Sequence, residues 1–197
     1  MLEVELKSVV DDVARRRQAL ERAGGVLSYA GHLLDKRYDT RDFTLAARDE
    51  VLRVRIYGTA GHSRAELDWK GPTRREGGYK LREELATQVT SPDELVTMLA
   101  RLGFVVTIAI DREIAQYDLG GAMIRFERYP RMDDLVEVEG APEQIERAIA
   151  ALGLPRGGFT DERLPDFVRR FEARTGTNAV LSEDELRGGA HYDAANA

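Results

Sequence analysis

Near the start of the chain, Glu3, Glu5 and Lys7 alternate with Leu2, Val4 and Leu6. A period of two marks a β-strand with one apolar and one charged face. The pattern returns where Arg53 and Arg55 alternate with Leu52, Val54 and Ile56. It returns again at Glu66, Asp68 and Lys70, at Lys80, Arg82 and Glu84, at Arg125 and Glu127, and at Glu137 and Glu139. One such strand is an ordinary sheet face in water. As a set they are denser and more sorted than that, with Arg-x-Arg on one strand and Glu-x-Glu on two others. Like charges this close repel unless opposite charge lies between them. Closing the strands into a barrel removes exposed edges. A barrel with its charged faces inward shows its apolar faces outward, where helices can cover them.

Helical periodicity supplies that cover. Asp11 or Asp12 caps a helix to about Ala23, which Gly24-Gly25 ends. Ser91, with Pro92 and Glu94 behind it, opens a helix to about Leu102. Ala141-Pro142 opens another to about Leu152, and Thr160-Asp161-Glu162 a further one to about Arg174. Val26–Thr40, Val51–Tyr57, Ala65–Lys70, Tyr79–Thr90, Phe104–Leu119, Ala122–Tyr129 and Leu135–Glu139 read as strands, the late pair joined at Gly120-Gly121. Gly58–Gly61 reads as a turn. The fold class is α+β, with antiparallel strands and helices packed on them. Residues 1–180 read as one domain and 181–197 as a poorly ordered tail, with one more helical turn at Ser182–Leu186.

Composition narrows the chemistry. Cysteine is absent, so disulfides, thiolate metal sites and cysteine nucleophiles are excluded. His32, His62 and His191 are scattered, which disfavours a histidine-based zinc site. The net charge of −6 gives no bulk attraction to nucleic acid. No apolar run approaches the roughly 20 residues that span a bilayer as a helix. With no leader pattern at the N-terminus, the expectation is a cytoplasmic protein without nucleic-acid or membrane partners. Paired carboxylates suit a hard divalent cation such as Mg²⁺ or Mn²⁺. Clustered Arg and Lys suit phosphate oxygens. A metal-bound polyphosphate needs both.

The pieces resemble the CYTH superfamily, the triphosphate tunnel metalloenzymes. E-V-E-L-K (Glu3, Glu5, Lys7) is similar to its ExExK signature. In the family's order follow D-x-x-Y-D (Asp35, Tyr38, Asp39), L-R-V-R (Arg53, Arg55), W-K-G-P (Lys70), K-L-R-E-E (Arg82, Glu84), Arg112 five residues before Tyr117, and V-E-V-E-G (Glu137, Glu139). The resemblance implies a closed antiparallel eight-stranded tunnel with a polar charged lumen, covered by helices. It implies Glu3, Glu5, Glu137 and Glu139 as metal ligands for Mg²⁺ or Mn²⁺. It implies Lys7, Arg53, Arg55, Lys70, Arg82 and Arg112 as binders of a triphosphate-containing small molecule, and Lys7, Arg55 and Glu127 as catalytic. The implied activity is triphosphate hydrolysis; cyclisation of ATP, as in class IV adenylate cyclases, and non-catalytic binding are the alternatives. Oligomeric state stays open, and a homodimer is compatible with the sequence. The chain departs from the family pattern at Ile114, where an arginine is usual, at Met132–Leu135, and at Ala86. Tyr38 is either a lumenal group or a strand aromatic, and Arg15–Arg17 read as a solvated helix face.

Overall fold

A computed structural model describes residues 2–59, 61–76 and 79–189, without the side chains of Leu2, Glu3, His62, Tyr79 and Lys80. Nine strands run antiparallel: β1 (Leu2–Val9), β2 (Val26–Thr40), β3 (Val51–Thr59), β4 (His62–Lys70), β5 (Arg74–Glu76), β6 (Tyr79–Val89), β7 (Phe104–Leu119), β8 (Ala122–Arg128) and β9 (Leu135–Glu139). Their order is β1-β9-β8-β7-β2-β3-β4-β6-β5, and β6 also pairs with β1. That last pairing closes eight strands into a barrel, with β5 attached to β6. The long hairpin of β7 and β8 turns at Gly120-Gly121, whose φ values of 57° and 87° suit the tight primed turn that antiparallel twist favours.

Helices cover the outer wall, as the inverted pattern requires. Those on its sides are α1 (Val13–Arg22), α2 (Pro92–Arg101) and α3 (Pro142–Leu152). Leu20 of α1 and Ile145, Ile149 and Leu152 of α3 pack on Leu6, Ile124, Phe126, Val136 and Val138. Leu99 of α2 packs on Val54 and Tyr38, flanked by Leu52, Ile56 and Leu67. Tyr38 packs in this outer-wall cluster and also borders the cavity described below. Asp12 caps α1 by accepting from the backbone N–H of Arg15 at 3.0 Å. Ser91 makes no side-chain cap on α2, so the Pro at its start and the acidic first turn carry that terminus.

Arg16 departs from the expected solvated face. Its guanidinium pairs with Asp11 at 2.6 Å and donates to the carbonyls of Leu152 and Gly153, at 3.2 and 2.8 Å. It thereby ties α1 to the carbonyl-rich end of α3. Arg17 donates to the Tyr117 hydroxyl at 2.7 Å.

The last long helix also differs from the sequence reading. It begins at Leu164, not Thr160, and runs to Thr175 as α4. Thr160 instead exchanges two backbone hydrogen bonds of 2.9 Å with Lys7. α4 does not lie on the side of the barrel. Its Leu164, Phe167 and Val168 pack on Ile108, Ile110 and Leu135. Ile110 and Leu135 share strand faces with Arg112 and Glu137, so α4 stoppers the interior at one end. At the other end Leu33, Tyr57 and Ile114 form a second apolar cluster, joined by Tyr29. Leu181 is buried with α4, and Glu183–Leu186 form a short helix α5. His191 and the rest of 190–197 lie outside the described residues.

Candidate functional site

Between the two apolar stoppers lies a cavity of about 270 Å³. Glu5 and Lys7 of β1, Asp35 and Arg37 of β2, Arg53 and Arg55 of β3, and Lys70 of β4 line it. Arg82 of β6, Arg112 of β7, Arg125 and Glu127 of β8 and Glu137 of β9 complete the ring. Each sits on the strand face opposite to an outer-wall hydrophobic residue, so strict alternation carries the charges inward. Arg53, Lys70, Arg82, Arg112, Arg125, Glu5, Glu127 and Glu137 are all buried.

The charges form two connected groups. In the first, Asp35 stands 3.3 Å from Arg53, 3.6 Å from Arg55 and 3.7 Å from Arg112. Asp68 of β4 accepts from Arg53 Nε at 3.0 Å, and Glu84 of β6 pairs with Lys70 at 2.9 Å. In the second, Lys7 Nζ lies 2.6 Å from Glu137 and 3.2 Å from Glu5. Arg125 pairs with Glu137 and donates to Glu127 at 3.0 Å. Glu127 also accepts from Arg112 Nε at 3.1 Å and from the Tyr129 hydroxyl at 2.6 Å. Both its oxygens are engaged, so Glu127 holds the two arginines in place.

Burial opposes every one of these charges, and the neighbours decide the outcome. Burial raises the Asp35 pKa, but Arg53, Arg112 and Arg55 outweigh it and hold the carboxyl well below the usual range. Burial raises Glu137 likewise, and Arg125 and Lys7 bring it down. Glu127 is lowered by Arg112 and Arg125 against burial. Lys7 is raised, because Glu137 and Glu5 outweigh its desolvation. Burial and then Glu127 push Tyr129 well up, so it stays a hydroxyl donor.

Among the described residues, three buried guanidinium nitrogens of the cavity have no hydrogen-bond partner: Arg37 Nε, Arg55 Nε and Arg112 Nη1. Buried donors are almost always satisfied, so donors left over in a cavity mark where an acceptor ligand goes. The donor set fits an anion rich in oxygens, and the guanidinium forks fit phosphate.

Glu5 and Glu137 are buried and bridged by the Lys7 ammonium. Glu139 faces Glu5 across β1 and β9 but is half-buried and does not line the cavity. Glu3 sits opposite Arg82 in the β1–β6 register, and its side chain lies outside the described residues. Among the described residues no three acidic or histidine side chains form a ready metal cluster. The oxygen donors Glu5 and Glu137 nonetheless have the chemistry for a hard divalent cation.

The cavity reaches the surface beside Phe43, Asp49 and Arg163. Asp39 builds this mouth: its carboxylate accepts from the N–H groups of Leu45 and Ala46, both at 2.9 Å, and starts a 3₁₀ turn at Ala46–Arg48. Arg82 donates to the carbonyls of Gly71 and Asp49 at 2.7 and 2.6 Å, so it braces the mouth from inside. Arg163 pairs with Asp49 at 2.7 Å. Phe43 and Asp49 both hold φ of 55°, a left-handed geometry uncommon outside glycine.

The lumenal residues expected from the sequence converge: Glu5, Lys7, Arg53, Arg55, Lys70, Arg82, Arg112, Glu127 and Glu137. Arg37, Asp68, Arg125, Tyr129 and Arg163 had no assigned role, yet Arg37, Asp68 and Arg125 follow from counting by two along strands already recognised. His32 pairs with Asp111 outside this cavity.

Solved structures share the fold. A proposed adenylate cyclase of Vibrio parahaemolyticus superposes with a TM-score of 0.73 at 19% identity, covering 86% of this chain and 98% of that one. A Pyrococcus horikoshii protein gives 0.67 at 19% identity, covering 84% and 98%. A Hippeastrum protein proposed as an adenylyl cyclase, with a dominant triphosphatase activity, gives 0.58 at 15% identity, covering 92% and 98%. No curated protein matches the sequence. Over residues 1–150 the sequence matches the CYTH domain. The chain belongs to the CYTH domain family.

Proposed function

We propose that the chain hydrolyses the terminal phosphoanhydride bond of a triphosphate held in the barrel. The observation that carries this reading is the set of buried guanidinium nitrogens without a hydrogen-bond partner among the described residues, in a cavity ringed by nine further charged residues. Arg53, Arg55, Lys70 and Arg112 bind the phosphate oxygens and neutralise charge that builds on the leaving diphosphate. Asp35, Asp68, Glu84 and Glu127 hold those cations in position before the ligand enters, so little reorganisation is needed at reaction. A divalent cation bound by Glu5 and Glu137, with Glu3 and Glu139 beside them in register, would supply further neutralisation of phosphate oxygens and favour ionisation of an attacking water. Lys7, paired with both carboxylates, lines the same cavity and can donate to a bridging oxygen. Water adds to the terminal phosphorus, the bond to the bridging oxygen breaks, and inorganic phosphate and the shortened phosphate leave. The dominant triphosphatase activity of the Hippeastrum protein agrees with this reading.

The test is a panel of tripolyphosphate, thiamine triphosphate and ATP with Mg²⁺ or Mn²⁺, assayed for phosphate and for cyclic AMP. Metal-dependent phosphate release that Glu5→Ala and Arg55→Ala abolish, with the fold retained, supports hydrolysis. Cyclic AMP as the main product rejects it in favour of cyclisation. Tight binding without turnover rejects it in favour of a binding protein.

A further inference from the structure

Nine cationic residues line the cavity and its mouth: Lys7, Arg37, Arg53, Arg55, Lys70, Arg82, Arg112, Arg125 and Arg163. Eight have a carboxylate oxygen within 4.0 Å. Arg37 has none among the described residues. Its Cα partners are Arg53 on one side, a like charge, and Ile108 on the other, which is apolar. Its Nε is buried with no hydrogen-bond partner. Nor does Asp35, two residues away, require it: Arg53, Arg55 and Arg112 already surround that carboxylate.

A half-buried guanidinium whose Nε is fully buried, set opposite another guanidinium, destabilises the free protein. Burial, with Arg53, Arg112 and Arg82 added, pushes the Arg37 pKa down to about 10 against the pull of Asp35. It therefore remains charged at neutral pH. A side chain that costs stability and satisfies nothing inside the fold is explained by a ligand that satisfies it. Arg37 also lies on the mouth side of Asp35, toward Asp39, while Ile114 closes the opposite end without a charge.

We propose that Arg37 is a further phosphate-binding residue, which engages the triphosphate on the mouth side of the Arg53–Arg112 cluster. This rests on the triphosphate reading above. Its signature is opposite movement of stability and affinity, because a structural arginine loses both when replaced.

The experiment measures tripolyphosphate binding by calorimetry in Mg²⁺, and thermal unfolding without ligand, for the wild type, Arg37→Met, Arg37→Gln and Arg37→Lys. The Met and Gln variants should bind about tenfold or more weakly, the loss of one charge-assisted contact. Without ligand they should unfold about 2–4 °C higher. The Lys variant should bind with intermediate affinity. Binding equal to wild type overturns the assignment of Arg37 while leaving the triphosphate reading intact. Lower stability together with weaker binding overturns it in favour of a structural role. Absence of binding by the wild type overturns the triphosphate reading and this assignment with it.

Discussion

The Lys7 ammonium lies 2.6 Å from Glu137, its directly opposed partner across the β1–β9 ladder. The same nitrogen is 3.2 Å from Glu5. One cation thus separates two buried carboxylates on the side of the lumen where a divalent ion would be held. Lys7→Met removes the ammonium between them and leaves Arg125 as the cation paired with Glu137, and breaking a buried pair from one side costs about 3–5 kcal/mol. The expected outcome in urea denaturation with EDTA is a loss of that order. Mn²⁺ should then raise the melting temperature of the variant more than that of the wild type, because the metal replaces the missing ammonium. Equal shifts would place the metal elsewhere.

Ile114 is buried against Leu33 and Tyr57 and forms part of an apolar stopper. Restoring the arginine usual in the family at this position would bury a charge among apolar groups. Ile114→Arg should lower stability by roughly 3–5 kcal/mol and leave triphosphate turnover no higher. Ile114→Ala should cost about 2–4 kcal/mol through the cavity it leaves. Chemical denaturation and a phosphate-release assay check both.

Stability should fall in acid through the lumen itself. Asp35, Glu127 and Glu137 have folded-state pKa values below their ordinary 3.8 and 4.5. The stability they contribute is present above those ordinary values and is lost as pH falls toward the folded ones. Unfolding free energy should therefore be flat near neutrality with respect to these groups and drop below pH 4. Glu137→Gln should make the drop shallower. An acid limb of unchanged slope would remove Glu137 from the set.

Arg82 spends its guanidinium on the carbonyls of Gly71 and Asp49 at the mouth. Arg82→Ala should cost about 2–4 kcal/mol, the loss of two charge-assisted bonds. It should also speed amide exchange in the Ala46–Arg48 turn. Unchanged exchange there would show that the mouth is held by Asp39 alone.

Much of this was readable in the sequence, because a period of two assigns each strand residue to one face. The hairpin of Phe104–Leu119 and Ala122–Arg128 and the inward charges of β1, β3 and β9 follow from local pattern. What escaped depends on partners far away in sequence. Thr160 resembles a helix cap, but its backbone pairs with Lys7, so α4 starts later. The mouth turn at Ala46–Arg48 is set by Asp39, whose side chain reaches six residues ahead. Glu127 looks free to act on water, yet Arg112, Arg125 and Tyr129 consume its oxygens. Counting by two also reaches Arg37 and Arg125, but only the closed barrel distinguishes the paired Arg125 from Arg37, which has no carboxylate within 4.0 Å among the described residues.

The most direct test is a crystal structure of the protein with tripolyphosphate and Mn²⁺, read from the anomalous signal of manganese and the phosphate density. Phosphates bonded to Arg53, Arg55, Lys70 and Arg112, with manganese beside Glu5 and Glu137, are the predicted result. Phosphate and metal bound on the outer surface, with the lumenal ion pairs unchanged, would contradict it.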